Sequence, residues 1–152
     1  MKKGAVFLSI HKAGQDYLEA ILMLRIQGKV VRSVGIAEKM GVSKASVSFA
    51  TKALLSDGYI TMNGEKEIML TKKGLALAHI IYERHQFLTS WLESLGVDHQ
   101  TAERDACRIE HDLSVKSFSA IKRFVSTHSS SFPPLASEEE VKVNSCLSGA
   151  EP

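Results

Sequence analysis

Hydrophobic residues recur three and four apart through positions 14–27, where Tyr17, Ile21 and Leu24 form a stripe flanked by Leu18 and Met23, and Gly28 ends the run. That spacing predicts an amphipathic helix. A shorter helix is predicted over 33–40, capped by Ser33 and closed by Gly41, whose missing side chain suits a left-handed turn. Ser43 then caps a third helix running to about position 57, with Val47, Ala50, Leu54 and Leu55 turned inward. After Gly58 the period shortens. Positions 59–62 read as a strand, Asn63-Gly64 as the turn of a hairpin, and 67–70 as the returning strand. From Thr71 a long helix is expected to about Leu95, carrying Leu75, Ala78, Ile81, Tyr82, His85, Leu88 and Leu92 in near-heptad order. Gly96-Val97-Asp98 breaks it, Asp98 caps a helix to about Leu113, and Ser114 opens another to about Thr127.

The order helix, glycine turn, Ser-capped helix spells a helix-turn-helix over 34–47, in which small Ala37 lets the two helices approach and Val42 and Val47 close a small core. A hairpin directly after the recognition helix is a wing. The expected fold is therefore mainly α: an N-terminal winged helix-turn-helix domain (1–72) followed by an all-helical domain (73–128). Beyond these, the Ser- and Pro-containing stretch 129–134 and Glu138-Glu139-Glu140 mark a tail (129–152) expected to be mobile or loosely docked.

Composition adds bounds. A chain of 152 residues with 44% hydrophobic and 24% charged residues has the make-up of an ordinary globular protein. No apolar run approaches the roughly 20 residues of a membrane span, and the apolar stretch 5–10 is too short for a signal-peptide core; a cytoplasmic protein with no membrane partner is expected. Cys107 and Cys146 lie in such different contexts that no disulfide is expected between them. The net charge of +2 hides an asymmetry. Residues 1–75 hold 12 Lys or Arg against 6 Asp or Glu, and the remainder 7 against 11. A basic half beside an acidic one suits nucleic acid on one side and spare carboxylates on the other.

On the predicted recognition helix, Ser43, Lys44, Ala45, Ser46 and Phe49 are candidates to face base edges, and Lys44 and Lys52 suit phosphates. The helix carries no Arg, Asn or Gln for bidentate base reading, so discrimination is expected to rest on modest contacts and DNA shape. Phe49 has two readings, a contact with a thymine methyl or packing against a neighbour. Asn63 and Lys66 at the wing tip could reach phosphate or the minor groove.

Three segments carry donors suited to a divalent transition metal. Asp16 and Glu19, three apart, share a face of the first helix; Cys107, Glu110 and His111 put a thiol, a carboxylate and an imidazole on one face of a later helix. His85 lies in the long helix, and Glu103, one turn before Cys107, extends the cluster as a weaker candidate. Each alone has an ordinary explanation: a solvated helix start, a satisfied histidine, a cysteine filling a small apolar space.

In the stretches Gln15-Asp16-Tyr17-Leu18-Glu19-Ala20-Ile21 and Asp105-Ala106-Cys107-Arg108-Ile109-Glu110-His111-Asp112-Leu113-Ser114, together with the helix-turn-helix and wing, the sequence resembles the diphtheria-toxin-repressor family of metal-dependent regulators, including its short manganese-responsive branch. The resemblance implies a homodimer that binds a double-stranded operator when Mn(II) or Fe(II) links the DNA-binding and dimerisation domains, and repression of metal-uptake genes. It places Asp16, Glu19, His85, Cys107, Glu110 and His111 on ligand positions. The match is mixed. Asp16 is similar to the manganese branch and Cys107 to the iron branch, while Thr89 and Glu103 stand where the longer iron regulators have a Glu and a His. Hard oxygen donors tolerate Mn(II), whereas a thiolate favours Fe(II), Co(II), Ni(II) and Zn(II). Two other readings stay open: a winged-helix regulator of an organic ligand, and a hydrolytic metalloenzyme, although the sequence has no metalloprotease helix motif, nucleophile elbow or phosphate loop.

Overall fold

The computed structural model describes residues 10–128, so the expected tail and Cys146 lie outside the described residues. Six helices and one hairpin follow in the order α1 (Lys12–Ile26), α2 (Ser33–Met40), α3 (Lys44–Ser56), β1 (Ile60–Met62), β2 (Ile68–Leu70), α4 (Lys72–Ser94), α5 (His99–Asp112) and α6 (Val115–Thr127). The caps explain most of the boundaries. Ser43, Thr71, Asp98 and Ser114 each accept a hydrogen bond from the backbone N–H three residues on, which satisfies one of the free donors at the start of α3, α4, α5 and α6. Helix α2 differs from expectation. Its cap position is Arg32, with no side-chain hydrogen bond, and Ser33 is already the first helical residue. Gly41 ends α2 at φ 65°, the left-handed conformation that makes the turn into α3.

Strands β1 and β2 pair antiparallel, Ile60 opposite Leu70 and Met62 opposite Ile68. The turn between them is not the tight Asn63-Gly64 turn expected from sequence. Gly64-Glu65-Lys66 form a three-residue connection closed by Lys66 N–H donating to Asn63 O at 3.0 Å, and the left-handed residue is Lys66 at φ 59°. Asn63 Oδ1 accepts from the N–H groups of Glu65 and Glu67, at 3.0 and 2.9 Å, and holds the loop shut. Ile68 N–H also donates to Val31 O at 2.8 Å, which ties the wing to the segment between α1 and α2.

One core, formed by Leu18, Ile21, Val31, Ile36, Val47, Leu54, Ile60 and Ile68, unites α1, α2, α3 and the wing, and extends onto α4 through Leu77, Ala78 and Ile81. Leu55, expected inside, lies at the surface. A second core, Phe87, Leu88, Ala106, Phe118 and Val125, joins the far half of α4 to α5 and α6, with Phe87 and Phe118 edge to face at 5.4 Å. Helix α4 thus serves both cores, and the boundary expected between residues 72 and 73 falls at its first turn.

The start of α4 lies against the β1 backbone because position 74 has no side chain. A Cβ at Gly74 would sit 1.9 Å from the carbonyl oxygen of Tyr59. The helix propensity gained with Ala, about 1 kcal/mol, is smaller than the strain of displacing backbone. Gly74→Ala is expected to lower stability by about 1 to 3 kcal/mol in urea unfolding; unchanged stability would show that α4 can shift without loss.

Candidate metal centre and nucleic-acid interface

Helix α1 presents Gln15, Asp16 and Glu19 toward α4 and α5, which meet it with His85 and with Cys107, Glu110 and His111. Two groups of donor atoms result, each lying within 4.8 Å of one another: Asp16, Cys107, Glu110 and His111 in one, Glu19, His85 and Glu110 in the other. Glu110 belongs to both. Its Oε1 is 3.2 Å from His111 Nε2, and its Oε2 is 3.1 Å from His85 Nδ1. Asp16 Oδ1 lies 2.6 Å from His111 Nε2, and Glu19 Oε1 lies 3.8 Å from His85 Nδ1.

Of these approaches, that of His85 to Glu110 Oε2 is a hydrogen bond. Among the described residues, five buried side-chain polar atoms have no hydrogen-bond partner, and four of them are Asp16 Oδ1, Glu19 Oε1, Glu110 Oε1 and His111 Nε2. A buried polar atom without a partner is costly, and four gathered in one place fit a cation that takes their lone pairs. Oxygen, nitrogen and thiol donors of this kind suit a divalent transition metal.

Charge separates the groups further. Burial raises Glu19 to about 7, helped by the neighbouring Glu110 charge and opposed by His85 and His111. Burial opposes the charged form of His111, but Asp16, Cys107 and Glu110 around it outweigh that and raise it to about 11. His85 is likewise disfavoured as a cation by burial and raised on balance by its hydrogen bond to Glu110 and by the charges of Glu19, Glu110 and Glu103. Protons therefore supply the positive charge that the carboxylates require.

Two supporting residues were not foreseen from sequence. Gln15 is buried; its Nε2 donates to Ile10 O at 3.1 Å, which turns Oε1 to lie 2.9 Å from His111 Nδ1. That acceptor keeps the proton of a neutral His111 on Nδ1 and leaves Nε2 facing Asp16 and Glu110. Arg84, also buried, donates from one nitrogen to Glu110 O and Leu113 O, at 3.0 and 2.8 Å, and lies over the Phe118 ring. It satisfies carbonyls at the end of α5, in the turn that carries the candidate ligands. A charged residue between Ile81 and Leu88 on the inner side of α4 was the available signal.

Glu103, the weaker candidate, stands apart from the other donors. It enters neither donor group; its side chain is half exposed, lies 3.9 Å from His99 Nε2, and lines an open cavity of about 390 Å³ beside Glu19, Met23, His85, Gln100 and Arg104. One turn of α5 before Cys107 puts it at the rim, where it acts on His85 through charge.

On α3, Ser43, Lys44, Ala45, Ser46, Phe49 and Lys52 are all exposed, opposite buried Val47, Thr51 and Leu54. The Ser43 hydroxyl is engaged as the helix cap and lies 2.9 Å from Ser46 Oγ. At the wing, Lys66 is exposed, but the polar atoms of Asn63 are occupied within the loop, Nδ2 donating to Glu67 Oε2 at 3.1 Å.

Among the described residues no helix is long and apolar enough to cross a membrane. Residues 10–68 match the N-terminal DNA-binding domain of iron-dependent repressors, and residues 71–131 match their metal-binding and dimerisation domain. The chain is 37% identical over 116 residues to the transcriptional regulator MntR of Salmonella typhimurium, covering 76% of this chain and 74% of that protein. It is 35% identical over 113 residues to MntR of Escherichia coli O6:H1, covering 74% and 73%. Among solved structures, the manganese regulator SloR superposes with a TM-score of 0.67 at 29% identity; 74% of this chain is covered, and it spans 53% of SloR, about half its length. On the two matched domains and these relatives together, the chain belongs to the iron-dependent-repressor family of metal-dependent transcriptional regulators.

Proposed function

We propose that this chain is a Mn(II)- or Fe(II)-responsive repressor of metal-uptake genes that binds a double-stranded operator as a homodimer. The observation that carries the proposal is the set of four buried, unpartnered donor atoms contributed by α1 and α5. Asp16, Cys107, Glu110 and His111 would hold one ion, and Glu19, His85 and Glu110 a second, with Glu110 common to both. A bound ion supplies a strong cross-link between the helix that begins the DNA-binding half and the two helices of the other half.

The protein's own side chains do the rest. Asp16 and Glu19 present oxygen donors from α1, His85 an imidazole from α4, and Gln15 and Arg84 fix His111 and the end of α5. The all-oxygen-and-nitrogen group suits Mn(II), as the likeness to the manganese regulator SloR favours, whereas Cys107 in the other group raises affinity for Fe(II), Co(II) and Zn(II). A second copy would dock on the half that matches the metal-binding and dimerisation domain, residues 71–131. In such a dimer the hinge angle sets the separation of two α3 helices, which must match successive major grooves about 34 Å apart. Ser43, Lys44, Ala45, Ser46, Phe49 and Lys52 of α3 would face the groove, with Asn63 and Lys66 of the wing alongside.

The test is operator binding in chelator against buffered Mn(II) and Fe(II). Metal is expected to raise affinity at least a hundredfold, a coupling of about 2.7 kcal/mol. Glu110→Gln is expected to remove that gain while size-exclusion chromatography still shows a dimer; equal affinity with and without metal would defeat the switch.

Metal binding must also release protons. His111 carries one at every pH up to about 11, and Glu19 carries one below about 7. Apparent metal affinity is therefore expected to climb as pH rises from 6 to 8, by about tenfold or more per pH unit in calorimetric titration. A flat profile would remove His111 from the ligand set.

Gln15→Leu takes away the acceptor for His111 Nδ1 and is expected to weaken metal binding by about 10- to 100-fold without unfolding the protein. Unchanged affinity would assign Gln15 to packing alone.

A further inference from the structure

Phe49 is 80% exposed, the most exposed of the large hydrophobic side chains among the described residues. So little of it is covered that the thymine-methyl reading is favoured over packing within the chain. At 100° per residue, Ala45, Phe49, Lys52 and Ser56 fall on one stripe of α3, directly opposite the buried Val47 and Leu54. The centre of the outward face is therefore an apolar pair, Ala45 and Phe49, one turn apart. Lys52 and Lys44 flank it with positive charge. The stripe offers no guanidinium or amide to read the donors and acceptors of base edges.

The floor of the major groove displays one apolar group in unmodified DNA, the C5-methyl of thymine. We infer that the Ala45–Phe49 ridge reads a pair of thymine methyls on one strand of each half-site, and that Phe49 is the principal specificity-determining residue of the recognition helix. Side chains four apart on a helix are about 5 to 6 Å apart at Cβ, and successive bases rise 3.4 Å, so the two thymines are adjacent or separated by one base. The lysines add affinity through phosphates without adding sequence preference. This deepens the DNA-binding reading proposed above and rests on it.

The experiment replaces only the methyl. Duplexes are first selected from a random pool with the full-length protein in saturating Mn(II) or Fe(II), and each thymine of the selected site is then changed singly to uracil, which leaves base pairing intact. With the wild-type chain, uracil at the reading position is expected to weaken binding about fourfold, the worth of one methyl group taken out of water, and about fifteenfold when both half-sites are changed. Phe49→Ala, at so exposed a position, leaves the fold intact and is expected to bind thymine and uracil equally at one of the two reading positions, while the other, beneath Ala45, keeps its preference. Lys52→Ala is expected to weaken thymine and uracil duplexes equally and to reduce the salt dependence by about two ions, one for each half-site. If wild type tolerates uracil at every thymine, or Phe49→Ala keeps the thymine preference at both positions, the inference is overturned while DNA binding stands. If no duplex is enriched over the random pool in Mn(II) or in Fe(II), the DNA-binding reading falls and takes the inference with it.

Discussion

The structure turns on one carboxylate. Glu110 is 1% exposed, on the inner face of α5 where α1 and α4 close over it. An ionised carboxylate in that position requires compensating positive charge, and uncompensated burial is among the largest penalties a fold can carry. Everything around Glu110 answers to this. His85 hydrogen bonds to one of its oxygens, His111 stands beside the other, and Arg84 takes its backbone carbonyl. Further acids nearby make the demand greater rather than smaller, and Glu19, raised first by its own burial and then by the Glu110 charge, holds its proton to about pH 7.

In the proposed reading, the same demand couples ligand to shape. Protons and a divalent ion compete for one set of lone pairs, but they differ in reach. A proton sits on one atom at a time, whereas an ion draws several donors at once from α1, α4 and α5. The helices that carry the donors also carry the two hydrophobic cores, so ordering the donors orders the angle between cores. The nucleic-acid face is built on a different principle: α3 has its polar caps and packing inside the fold and leaves an apolar ridge outside, flanked by lysine.

Much of this was legible in sequence because it depends on short-range spacing. The i, i+3 and i+4 relations of Cys107, Glu110 and His111 fix their shared face whatever the tertiary fold, and Ser43, Gly41, Asp98 and Ser114 act on backbone within a few residues. The residues that escaped notice act at long range. Gln15 meets His111 across 96 positions of sequence, and Arg84 meets the end of α5 across 26 and 29. The wing was misread in detail because Asn63-Gly64 is a strong local signal for a two-residue turn, yet the bonds from Asn63 to Glu65 and Glu67 move the left-handed residue to Lys66. Glu103 was drawn toward the centre by helical phase alone, which gives direction but not depth.

Helix α4 runs unbroken for 23 residues, roughly 34 Å, with its first turns embedded beside the wing and its last turns beneath α6. A rod anchored at both ends behaves as a lever. Tilting it by about 5° about its buried first turn carries the far end through about 3 Å over that length, a distance comparable with a whole hydrogen bond. Sub-ångström adjustments near His85, at its middle, therefore arrive magnified at the end of α4 that packs with α5 and α6.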